Sequence, residues 1–244
     1  MEMIKTAQLG VVTVCLALSG TASGAALSLV NQGFESDLAG WSVAGLVTPS
    51  PGITVKTFDG VVHDVIPWVS RMARLVSQAA PGGPDPFRNN VAELNAFFGF
   101  DITTRLAAGT SPWNGSGISQ SFSGKKDDVL TQYWSFYSEE SDTFQSLDTA
   151  FYVVTDASGA VVDFDELAVA KDVPGGFAKW QAVQYVLPAD GTYTIGFGVV
   201  NGRDEYFNSE LFLDNGLPEP GSFALLGLAL AGFSWARRKP AGKS

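Results

Sequence analysis

The side chains able to do chemistry in this chain are few, and most have a plain structural explanation. His63 is the only histidine, and Asp64 follows it directly. Neighbours on a strand point to opposite faces, so the two cannot form an oriented acid–base pair, and a surface histidine is the better reading. Asp163, Asp165 and Glu166 are close enough to suggest the paired carboxylates of a glycoside hydrolase, but they come directly after a strand-like run, where a solvated turn accounts for them. Glu139, Glu140 and Asp142 read as a polar loop, with a second cation site as the alternative. Gly196-Phe197-Gly198 lacks the further glycine and the following helix of a dinucleotide loop. Cys15 is the only cysteine and sits in an apolar N-terminal run. Without that run no thiol remains, which excludes thiol catalysis, cysteine-ligated zinc and disulfide staples.

What remains is binding. A sugar site needs exposed aromatic faces for the rings to stack on, beside amides and carboxylates that bond the hydroxyls. Trp68, Trp113 and Tyr206 fall in loop-like segments and are the candidates. Trp41, Trp134 and Trp180 stand in apolar alternating runs and are expected in the core.

The elements that must position these residues read as β structure, because β-branched and aromatic residues alternate with polar ones between Gly, Pro, Asn and Asp punctuation. Thr131–Tyr137 is one such run. Ala150–Val154 and Val161–Phe164 form a hairpin across Thr155–Ala160. Trp180–Leu187 and Thr192–Val200 are expected to form another across Pro188–Gly191. Many short strands at this spacing predict a sandwich. Pro81-Gly82-Gly83-Pro84-Asp85-Pro86 must be an exposed loop, since such density of proline and glycine supplies few ladder donors. Val91–Phe98 has apolar residues at helical spacing, with Asn90 as a candidate N-cap and Gly99 as the stop. The all-β class thus carries one short helix lying over the sandwich.

Both ends read as addresses. Lys5, the apolar run Leu9–Leu18 and the small residues Ser19–Ala26 make residues 1–25 a secretory signal peptide, with an apolar core too short to span a bilayer permanently. At the other end Pro218-Glu219-Pro220-Gly221 precedes the apolar segment Phe223–Trp235, closed by Arg237-Arg238-Lys239. Positive charge there stays cytoplasmic, leaving the body outside the inner membrane and a transmembrane helix at the C-terminus. Residues 26–216 lie between, the right length for one domain. The chain carries 25 acidic and 15 basic residues. The body is more acidic still, because Lys5, Arg237, Arg238, Lys239 and Lys243 lie in the end segments. Nucleic acid is excluded as a natural partner.

The tail, residues 217–240, resembles that of PEP-CTERM proteins. The resemblance implies recognition at Pro218, Glu219, Pro220 and Gly221 by an exosortase, a membrane-embedded processing enzyme, with Arg237 and Arg238 as the stop. It further implies a Gram-negative host that makes extracellular polysaccharide, a transient inner-membrane anchor, and a final place at the cell surface or in the matrix. In such a host the sequon Asn114-Gly115-Ser116 has no default meaning.

The body also carries a resemblance. Asn31-Gln32-Gly33-Phe34-Glu35 followed by Leu38-Ala39-Gly40-Trp41-Ser42-Val43 is similar to the opening of carbohydrate-binding-module jelly rolls with a galactose-binding-like fold. Gly117–Phe122, Trp134-Ser135-Phe136, Asp148–Phe151, Gly191–Val199 and Leu211–Asn215 follow in the family's order. The resemblance implies a jelly-roll β-sandwich opened by a Gly-Phe-Glu strand, with the tryptophan after a glycine in its core. It also implies a structural Ca2+ between a glutamate of the first strand and an aspartate of the last, here Glu35 and Asp214. The expectation is therefore an exported, non-enzymatic, carbohydrate-binding surface protein. A structural or adhesive matrix protein without a small ligand is the competing class, and a glycoside hydrolase the third.

Overall fold

The computed structural model describes residues 24–79, 85–140, 146–203 and 207–215. Residues 1–23 of the segment read as signal peptide, the sorting tail, most of the Pro81–Pro86 loop, Asp142 and Tyr206 lie outside them. Among the described residues no helix is long and apolar enough to cross a membrane.

Among the described residues thirteen strands and one α-helix follow one another: β1 (Ala26–Leu27), β2 (Ser42–Ala44), β3 (Leu46–Ser50), β4 (Ile53–Lys56), β5 (Val62–Val65), β6 (Met72–Val76), α1 (Val91–Phe98), β7 (Gly115–Gly124), β8 (Val129–Ser138), β9 (Thr149–Asp156), β10 (Val161–Val169), β11 (Phe177–Val186), β12 (Gly191–Val200) and β13 (Ser209–Asp214). They form two sheets facing each other as a β-sandwich. In the first, β8 pairs with β11 on one side and with β13 and the short parallel β1 on the other, and β6 and β3 continue from β13. The second is antiparallel in the order β10-β9-β12-β7-β2. A separate hairpin joins β4 to β5. Pro49 lies in β3 at the sheet edge, where its missing N–H costs no ladder bond.

Period-two alternation decides which side chains enter the core. Phe136 of β8, Leu211 and Leu213 of β13, and Ala73 and Leu75 of β6 face inward to meet Tyr152, Val154, Ile195, Phe197 and Val199 of the second sheet. The intervening Tyr137, Phe212 and Met72 point outward, and the β4–β5 hairpin covers them with Val55 and Val65. On the opposite outer face Phe151, Val153 and Val200 are covered by Leu94 and Phe98 of α1. Both sheets are thus buried on two faces over part of their width.

Helix α1 spans the residues its periodicity predicts, and Gly99 ends it in the left-handed conformation, φ 81°, its N–H bonded to the Asn95 carbonyl. Asn90 does not cap it. Its side chain is drawn to β7, where it accepts from the Gly115 N–H at 2.9 Å and donates to the Gly115 carbonyl at 3.0 Å. Asn90 therefore docks the helix onto the sheet.

Three further expectations are corrected. Gly33-Phe34-Glu35 is a turn and not a strand: Asn31, Phe34 and Asp37 have φ near +55° (50°, 59° and 56°). The Asn31 side chain holds this turn, accepting from Ser36 N–H and donating to the carbonyls of Asp37 and Ala39. Trp41 nevertheless reaches the core against Phe34, ring centroids 5.3 Å apart. β11 and β12 do not pair: β11 joins β8 in the first sheet and β12 lies between β7 and β9 in the second. Leu187, between them, exchanges backbone bonds with Asp127 and Asp128, so the connection crosses from sheet to sheet. Finally, Asp163, Asp165 and Glu166 lie within β10, because the strand continues past Phe164 along the whole of β9.

Candidate functional site

The hairpin and the edge strand β11 enclose a groove on the outer face of the first sheet, with a volume of about 450 Å³. β11 pairs only with β8, and its register slips between Ala178 and Gln181. A bulge there re-aims side chains. Lys179 and Trp180, the residues within the slip, line the groove, whereas Gln181 lines a lateral cleft of about 500 Å³ between β11 and β10. Phe177 belongs to both walls. The opposite wall comes from Val62, His63, Asp64 and Val65 of β5, and Trp68 stands at the hairpin's exit.

The groove combines aromatic faces with polar groups. His63 stacks on Phe177, centroids 4.2 Å apart and planes 17° off parallel, so the only histidine serves as a flat surface. Asp64 is turned to the other side of β5, where it accepts from the Thr54 hydroxyl at 2.7 Å. Trp68 is 44% exposed and packs edge-on against Tyr133 at 6.2 Å. Trp180, expected in the core, packs half-buried against the outer cluster of Val55, Val65, Tyr137 and Phe212 and also lines the groove. Alternation correctly places it on a strand face. That this face is the outer face of an edge strand depends on pairing, which the local pattern does not carry. Trp41 and Trp134 are buried.

The remaining candidates lie elsewhere. Trp113 is 38% exposed and sits beside the start of α1 at the end of the second sheet, donating from its indole N–H to the Phe87 carbonyl at 2.9 Å. Its backbone bonds Asn90 and Asn201. The structure does not bring it to Trp68, and Tyr206 is outside the described residues. Asn114 is fully buried, so the sequon offers no accessible amide. In the lateral cleft Glu166 accepts the Ala107 N–H at 2.7 Å and Asp172 pairs with Lys171 at 2.9 Å, while Asp163 accepts from the Tyr152 hydroxyl. Burial, together with that Asp163 contact, pushes the Tyr152 phenol well above its ordinary range.

Glu35 and Asp214 close on one loop, residues 68–71. Glu35 Oε1 accepts the N–H groups of Ser70 and Arg71, and its Oε2 accepts the Ser70 hydroxyl. Asp214 Oδ2 accepts the Trp68 N–H at 2.7 Å, and Oδ1 that of Asn215. Burial tends to raise the Glu35 pKa but is outweighed by these bonds and the Arg71 charge, which hold it below the ordinary value. The loop meets both carboxylates with N–H and hydroxyl donors, so the pair acts here as a clamp on the backbone. Among the described residues no group of three or more acidic, histidine or cysteine side chains could hold a metal. Backbone carbonyls would have to complete a cage here.

Residues 217–239 match the PEP-CTERM protein-sorting motif, the mark of an exported protein. A search of curated proteins finds no match. Among solved structures, β-sandwich carbohydrate-binding modules are neighbours. One is TmCBM61 in complex with β-1,4-galactotriose, 12% identical over 77% of this chain and 93% of that one, TM-score 0.35. A CBM4 structure is 13% identical over 74% and 94%, TM-score 0.34. The K3 cleaved adhesin domain of Lys-gingipain from Porphyromonas gingivalis is 15% identical over 75% and 96%, TM-score 0.35. Likenesses at this level say nothing about ligand or activity.

Proposed function

We propose that this protein is an exported, non-catalytic carbohydrate-binding module, handed by its tail to an exosortase-type enzyme and placed at the cell surface or in an exopolysaccharide matrix. The observation that carries the binding reading is the groove: Trp180, Trp68 and the stacked Phe177–His63 pair line it beside Lys179. Sugar rings use such faces for stacking, and the flanking polar groups for their hydroxyls. A Ca2+ held by Glu35 and Asp214 belongs to the same reading, as a structural ion fixing the loop that carries Trp68.

Glycan-array screening followed by calorimetry tests the groove. A neutral oligosaccharide is expected to bind wild type, and Trp180→Ala to weaken it roughly 5- to 30-fold, since one stacking aromatic contributes on the order of 1–2 kcal/mol. Trp113→Ala should change nothing. Binding to no glycan, or equal binding by Trp180→Ala, would sink the assignment and leave a matrix protein without a small ligand.

A further inference from the structure

The loop clamped by Glu35 and Asp214, with the residues that lead into it, carries two side chains that the glycan groove does not use. Ile66 is 64% exposed and Val69 is 65% exposed, and neither lines the groove. They flank Trp68, whose N–H is bonded to Asp214. Branched aliphatic side chains offer sugar rings no flat face, so the groove does not account for them. Adjacent exposed apolar groups on a pinned loop mark a contact surface.

Their position identifies the contact. Asp214 ends β13, and the sorting motif begins at residue 217. The chain therefore leaves the body beside Ile66, Trp68 and Val69. The apolar run of the tail begins at Phe223, eight residues after Asn215, which fully extended reach no more than ~28 Å. With that run in a bilayer, this face of the body stays within that reach of the lipid surface. A tryptophan flanked by aliphatic residues suits that interface. The chain is acidic, net −10, which disfavours attraction to anionic headgroups and leaves apolar insertion to do the holding.

From this geometry we infer that the 66–69 loop is a membrane-contact patch: while the tail is inserted, Ile66 and Val69 dip into the lipid interface and set the body's orientation, with Trp68 at the boundary between patch and groove. This inference rests on the reading of the tail as a membrane-inserting sorting signal. It adds a lipid-facing surface on the body itself.

The chain as export leaves it, without residues 1–25 and so without a native cysteine, is reconstituted into phosphatidylcholine vesicles with a nitroxide at Val69→Cys, at Ile66→Cys, or, as a control on the second sheet's edge, at Val162→Cys. Flotation reports tail insertion, and power saturation with oxygen and a water-soluble nickel complex reports the label's surroundings. The expected result is flotation of all three, with nickel accessibility at 66 and 69 about threefold or more below that at 162 and oxygen accessibility above it, unchanged in high salt. Flotation with all three labels equally open to nickel overturns the patch and leaves the tail reading standing. Labels at 66 and 69 shielded from both reagents mean a protein contact, such as a second copy, and also overturn it. A chain that does not float removes the tail reading and the patch together.

Discussion

Glu35 shows how one carboxylate serves position before chemistry. It sits in a turn held by Asn31 and reaches across to the Ser70 and Arg71 backbone. Its pKa lies below the ordinary 4.5, so the folded state binds its proton less tightly than the unfolded chain does. The resulting stability is present above the unfolded value and is lost as pH falls through the folded one. Glu35→Gln is thus expected to destabilise at pH 7 by about 1 kcal/mol, a value discounted for exposure. The difference from wild type should shrink as pH falls below the ordinary carboxylate range. Denaturant titrations at pH 7 and pH 3 measure it, and an equal gap at both would mean that the charge does not hold the loop. If the pair also holds calcium, millimolar calcium at pH 7 should raise the wild-type melting temperature and leave that of Glu35→Gln unmoved. Calorimetry showing no heat with wild type would remove the ion.

At the scale of elements, the glycines of the second sheet decide where α1 sits. Gly117 of β7 pairs with Gly198 of β12, and with Gly196 they leave a shallow seat for aromatic rings. A Cβ on Gly117 would stand 2.5 Å from Phe98 Cζ, one on Gly196 2.8 Å from Phe98 Cε1, and one on Gly198 would strike the Phe151 ring. Gly196-Phe197-Gly198 is therefore glycine-rich because two rings rest on it, with Phe197 turned into the core. Gly196→Ala should destabilise by roughly 1–3 kcal/mol through overpacking, and Phe98→Leu in the same chain should recover part of that. Equal losses in single and double variants by chemical denaturation would show that the ring is not what the glycine accommodates. The helix itself was legible residue by residue, because its period and its terminal glycine are local signals. The hairpin expected of β11 and β12 was not, because a connection that crosses between sheets and one that turns back within a sheet use the same turn residues.

For the whole molecule, the two outer faces have different tasks. One is closed by α1, and the other is half-closed by the β4–β5 hairpin, which leaves the aromatic groove between hairpin and edge strand. Asp214, at the end of β13, bonds the Trp68 N–H beside that open face. Mass spectrometry of the secreted protein, with and without the host's exosortase, should show a C-terminus shortened within or near Pro218–Gly221 only when the enzyme is present. A terminus at Ser244 in both would sink the processing reading.

The sequence by itself determined the β class, the extent of α1, the inward placement of Trp41 and Trp134, and the sorting motif, because propensity, periodicity and a linear motif are written in neighbouring residues. The tertiary structure alone decided that Trp180 lines a groove, that β10 runs through its acidic residues, that Gly33-Phe34-Glu35 is a turn, and that Ile66 and Val69 stand at the tail's exit. Each of these depends on which strand is an edge and what packs over it, and such choices come from contacts between residues far apart in the chain.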